Sequence, residues 1–177
     1  EGLYSVEGNP VIDLMAEEGI AAIGRALPKI VADPKDVDAR SDALYGAWLC
    51  GIVMGSVGMA LHHKLCHTLG GSFNLPHAET HTIVLPHALA YNAAAAPQAM
   101  QRIARALGRD DGKAAQAVFD LAKANGAPVA LRDIGMQAAD LDKACAIALQ
   151  NQYPNPRPLE AAAIRGLLQA AWEGARP

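Results

Sequence analysis

Aromatic residues make up only 5% of this 177-residue chain, and charged residues only 19%. With few aromatics and no long β-branched run there is little from which to build strands, whereas alanine and leucine abound, so the composition points to helix. Cysteine is confined to Cys50, Cys66 and Cys145, with no Cys-x-x-Cys pair. That excludes a disulfide framework and a thiolate zinc site, and it fits a reduced cytoplasm. There is no basic stripe: the net charge is −3 with Lys and Arg scattered, so nucleic acid is not an expected partner. No Gly-rich strand-to-helix turn that could cradle a pyrophosphate is present. The chain opens on Glu1-Gly2-Leu3-Tyr4, without methionine or a basic n-region, and reads as a piece of a longer protein rather than a secretory start.

One long hydrophobic run does exist, from Ala43 to Leu61, without a single charge. Its length suits a membrane span, but no basic anchors flank it and it contains Gly46, Gly51, Gly55, Ser56 and Gly58, so the expectation is a buried core helix and no membrane partner. Around it the spacing predicts an all-α, multi-helix domain over residues 1–177. Asn9-Pro10 opens a first helix that Pro28 kinks or ends; a second runs from about Asp36 through Leu44, Trp48 and Ile52, apolar on all sides and therefore central. The Gly55 to Gly58 cluster breaks it. A third helix carries Met59 to Leu69 and stops at Gly70-Gly71, and a fourth starts near His77, bends at Pro86 and continues to Ala96. Amphipathic helices follow at about 97–107, 112–125, 138–150 and 158–173.

All six histidines fall between His62 and His87. His63 and His67 lie four residues apart, the spacing that puts two imidazoles on one helix face, and His81 follows His77 at the same spacing. The Gly70-Gly71 break can fold the second pair back on the first, giving a pocket of up to four imidazoles. Crowding and burial should hold these rings neutral, the form that binds metal. Three nitrogens favour zinc or iron, although a catalytic site commonly adds a carboxylate and the only one within the cluster, Glu79, should point away from His77.

The stretch His62-His63-Lys64-Leu65-Cys66-His67-Thr68-Leu69-Gly70-Gly71, with Leu75-Pro76-His77 and the later Asn155-Pro156-Arg157-Pro158, resembles the iron-containing alcohol dehydrogenase superfamily. Within it the chain is most similar to the maleylacetate reductases, over essentially its whole length. The resemblance implies a two-part enzyme of which this chain is the C-terminal helical domain. The N-terminal α/β domain that binds NADH or NADPH is then absent, and with it the cofactor contacts, so the 177 residues alone are expected to be inactive. It also implies that His63 and His77 are the two metal ligands of this domain, for Fe2+ or Zn2+, with Asp and His ligands upstream of Glu1. Alternatively, the same imidazoles polarise the substrate directly. His67 corresponds to the histidine that transfers the proton, which makes His67, His63 and His77 the catalytic candidates.

A dicarboxylate substrate requires cationic or hydrogen-bonding groups at its ends, and Lys64, His81 and Arg157 are the candidates if the Asn155 to Pro158 loop folds toward the cluster. Phe73 is a candidate for the pocket mouth, with packing as its alternative; Trp48 and Cys66 read as packing residues. The implied assembly is a cytoplasmic homodimer. Two other readings remain open, a metal-dependent alcohol dehydrogenase acting on small aldehydes and a non-catalytic helical module that binds a metal or a partner.

Overall fold

The computed structural model describes residues 1–177 and contains eight α-helices and three short 3-10 turns. The side chain of Asn9 accepts from the backbone N–H groups of Val11 and Ile12 and caps α1 (Pro10–Ala32), with Pro10 at its first position. Pro28 does not end the helix; α1 runs through it to Ala32. A proline within a helix frees one carbonyl, here that of Gly24, and the turns on either side keep their bonds. Asp36 caps α2 (Val37–Ser56), which folds back along α1. The two helices touch backbone to backbone where Gly19 meets Gly46: a Cβ on Gly46 would stand 2.8 Å from the Gly19 carbonyl oxygen.

The charge-free α2 is not the central helix its sequence predicts. Only Ala39, Gly46, Leu49 and Val53 are buried, whereas Leu44 is 72% exposed and Trp48 61%. The reason is topological: α1 is the only helix packed along it, and a helix with one neighbour hides one stripe. No single helix is long and apolar enough to cross a membrane; α2 and α3 qualify only together, and they are bent by 97°.

The main core lies instead among α3 (Leu61–Phe73), α4 (His77–Asn92), α7 (Leu141–Ala148) and α8 (Ala161–Glu173), around Leu65, Leu69, Ile83, Leu141, Ile164 and Leu168. α3 continues past Gly70-Gly71 to Phe73, and the stop is made by Asn74, whose φ of 53° is the left-handed cap conformation. α4 runs through Pro86 but ends at Asn92, with a turn over 93–95 where the sequence suggested more helix. Its other face builds a second core through Leu89 with Met100 and Ile103 of α5 (Pro97–Ala106) and Ala114 and Ala115 of α6 (Ala114–Ala124). Arg102 of α5 pairs with Asp13 and Glu17, holding α1 against this second core.

Candidate active site

α3 and α4 each bring histidines to their first two turns, and the hairpin between them sets these turns against one another. The His63 and His67 ring centroids are 6.1 Å apart on α3, as the four-residue spacing requires. From α4, His81 approaches His63 to 5.2 Å and His77 to 4.2 Å. His62 points inward, 4.9 Å from both His63 and His81, with its Nε2 at 3.1 Å from the His81 carbonyl oxygen. Five of the six imidazoles thus form one cluster. His87 is the exception, buried deeper in α4 with no partner for its Nε2.

Glu1 ties the cluster to the helix end. Its carboxylate accepts from the backbone N–H of Ala60 at 3.1 Å and of His62 at 2.7 Å, and it bonds Nδ1 of His63. These are donors that the start of α3 leaves unpaired, and the positive end of the helix dipole favours an anion there. Burial opposes ionisation of Glu1, but its bonds to the His63 ring and to the Ala60 backbone N–H outweigh it and hold the carboxyl below its ordinary value. On the imidazoles burial acts the other way. It pulls His62 down to about 3 against the attraction of Glu1, and it pulls His81 down to about 4, with repulsion from His77, His63 and His67 added. Both rings are therefore neutral at pH 7, and Nε2 of His81 is buried without a partner.

The sequence reading passed over Tyr153. It sits in the loop between α7 and α8, and its hydroxyl is 3.1 Å from Nδ1 of His67. Lys64 reaches over the same ring, Nζ to centroid 5.6 Å. An aromatic residue two positions before Asn155-Pro156-Arg157-Pro158, in a chain with so few, was the available signal. Arg157 does not follow Tyr153 toward the imidazoles. Its guanidinium stacks on Tyr91, 4.2 Å from the ring centroid, and lies 3.9 Å from Glu160. Phe73, at the far end of α3, packs against the main core with Lys143 over its ring, so it does not line the cluster. Cys66 is buried, and burial raises its thiol, which makes it a packing residue rather than a nucleophile.

The donor set fits a borderline divalent ion in chemistry. His62, His63 and His81 each offer a ring nitrogen within 4.8 Å of the others. His62 is the poorest donor of these, since it is buried and its Nε2 already faces the His81 carbonyl. His63 has its Nδ1 held by Glu1, which leaves Nε2 as its free nitrogen, an arrangement common to metal-binding histidines. His77 is exposed and adjoins His81, so it completes the accessible side of the cluster.

Comparison with known proteins places this arrangement among described enzymes. The profile of the Fe-containing alcohol dehydrogenase family, C-terminal, matches residues 1–172. Maleylacetate reductase of Burkholderia cepacia is 63% identical over 177 residues, all of this chain and 50% of the relative. The chain spans about half the length of the curated relatives it matches. Among solved structures, maleylacetate reductase from Agrobacterium tumefaciens superposes with a TM-score of 0.96 at 52% identity, covering 100% of this chain and 50% of that one. An iron-containing alcohol dehydrogenase from Corynebacterium glutamicum gives 0.92 at 43% identity, over 98% of this chain and 49% of that one.

Proposed function

The chain belongs to the Fe-containing alcohol dehydrogenase family, and from that premise we propose that it is the helical, imidazole-bearing half of an NAD(P)H-dependent maleylacetate reductase. Residues 1–177 form one domain in this reading, and an N-terminal α/β domain of the same protein brings the nucleotide. The reaction is reduction of maleylacetate to 3-oxoadipate in the breakdown of aromatic compounds. The observation that carries the reading is the 63% identity to a maleylacetate reductase across the whole chain.

The chemistry follows from the cluster. NAD(P)H, when bound, would supply the hydride to the alkene carbon remote from the ketone, which sends the electron pair to the ketone oxygen and leaves the adjacent carbon to be protonated. His67 is the proton donor. Its Nδ1 is held by the Tyr153 hydroxyl, so Nε2 is the nitrogen free to meet substrate. A hydroxyl suits that role: it accepts from Nδ1–H while the ring is charged, and it still accepts from Nδ1–H after Nε2 has given up its proton. Lys64, whose Nζ lies over the Tyr153 ring, and His81 would take the substrate's carboxylate and ketone oxygens. His63 and His77 would hold Fe2+ or Zn2+, completed by an Asp and a His outside this chain, and the ion would polarise the ketone oxygen. The protein works as a homodimer in this reading.

The test is NAD(P)H consumption by the full-length protein with maleylacetate, run beside small aldehydes, and repeated with the 177-residue chain alone. Rapid turnover of maleylacetate, slow turnover of aldehydes and none by the isolated chain are expected. Preference for aldehydes would reassign the protein to the alcohol dehydrogenases.

A further inference from the structure

Tyr153 sits in an irregular loop, and a loop by itself does not hold a hydroxyl within reach of one ring nitrogen. What fixes this loop is Asn155, two residues on. Its amide is fully used: Oδ1 accepts from Nδ2 of Asn92 at 2.9 Å and lies 3.4 Å from the backbone N–H of Leu61, while Nδ2 donates to Oδ1 of Asn92 at 2.7 Å and to the Arg157 carbonyl at 2.6 Å. Two acceptor positions and two donor hydrogens are all that an asparagine side chain has. The partner, Asn92, is 0% exposed at the end of α4, where an amide without its mate would be costly. Leu61 is the first residue of α3, in the same turn as His63 and six residues before His67. One side chain therefore joins the end of α4, the start of α3 and the loop.

The remainder of the loop is latched to the same helix end. The Tyr91 hydroxyl donates to the Pro158 carbonyl at 2.8 Å and accepts from the Glu160 N–H at 3.2 Å, and Arg157 lies across its ring. These contacts hold the loop after Asn155; on the Tyr153 side the Asn92–Asn155 pair and the Leu61 contact tie it to α4 and α3, while Gln152 Nε2 donates back to the Leu149 carbonyl at 3.2 Å.

We propose that Asn155, paired with Asn92, is a positioning residue for the reaction: it sets the register of the loop against α3 so that the Tyr153 hydroxyl meets Nδ1 of His67. The inference rests on the reading of His67 as proton donor, and it assigns no contact between Asn155 and substrate.

A double-mutant cycle in the full-length protein tests it, with Asn155→Ala, Tyr153→Phe and the pair, each assayed for kcat and KM with maleylacetate and across pH. Asn155→Asp is the shape-preserving control: it keeps Oδ1 as an acceptor and puts a second oxygen in place of the donating nitrogen, and its melting temperature shows whether the fold survives. Each single change is expected to lower kcat by about tenfold with the NAD(P)H KM unchanged, as removal of one hydrogen bond to a reacting group would. The pair should be no worse than Tyr153→Phe alone within about twofold, and Asn155→Ala should displace the pH profile as Tyr153→Phe does. If the two losses multiply, or if Asn155→Ala and Asn155→Asp keep full turnover, the positioning role is wrong while the His67 reading stands. If Tyr153→Phe is silent, the anchoring of His67 fails and the role of Asn155 falls with it.

Discussion

His81 and His87 stand six residues apart on one helix, and both are pulled down to about 4. They arrive there differently. For His87 burial is the whole cause, and no charged or aromatic group faces its ring. For His81 burial is joined by three other imidazoles, and its ring meets those of His62 and His63 in T-shaped contacts and that of His77 at a tilt. The same titration thus marks a packed core histidine in one place and a member of the imidazole cluster in the other. A depressed pKa does not identify a site; the groups around the ring do.

The sharpest way to separate the two is to remove a ring from each. Turnover of the full-length protein should fall by about a hundredfold or more in His67→Gln, the loss of a positioned general acid, and by less than about twofold in His87→Gln. Next in size is Tyr153→Phe, about tenfold in kcat, because the hydroxyl holds the acid without supplying the proton.

Stability gives a smaller contrast with the opposite assignment. The folded value of His87, about 4, lies below its ordinary 6.5, so as pH falls the unfolded chain takes up this proton first. The stability tied to His87 is intact above about pH 6.5 and is lost progressively between there and about 4. His87→Leu should therefore raise the melting temperature at pH 5, by on the order of 1–2 kcal/mol of stability, and matter less at pH 7.5. An equal effect at both values would show that the ring is not buried in its neutral form. The smallest effect is expected on α2: Trp48→Glu should change the urea midpoint by less than about 0.5 kcal/mol of stability, since the side chain is 61% exposed.

That last expectation reverses what the sequence suggests, and the reason is physical. Periodicity reports how apolar a helix is, not how many neighbours it has. Ala43 to Leu61 is free of charge, yet α2 packs along α1 alone, while the histidine-bearing α3 carries the central Leu65 and Leu69. The caps at Asn9 and Asp36, the start of α4 at His77 and the pairing of His63 with His67 were all legible, because each is set by residues within a turn or two. So was the resemblance to iron-containing alcohol dehydrogenases, which the family match bears out. Tyr153 meeting His67 was not, nor was the turning of Arg157 toward Tyr91. Both depend on how one loop is pinned against residues eighty-six and sixty-six positions away, and spacing carries no such information. Pro28 within α1 and Gly70-Gly71 within α3 show the same limit from the other side, because packing kept helices going through residues that weaken them locally.

The comparison between five clustered imidazoles and one solitary imidazole is tested most directly without any substitution. In the full-length protein with NAD+ bound, the ring resonances of the six histidines can be followed by NMR as the product 3-oxoadipate is added. The rings of His63, His67, His77 and His81 should move together with saturation, and that of His87 should stay where it is. A response confined to His87, or none in the cluster at saturating ligand, would contradict the assignment of this site.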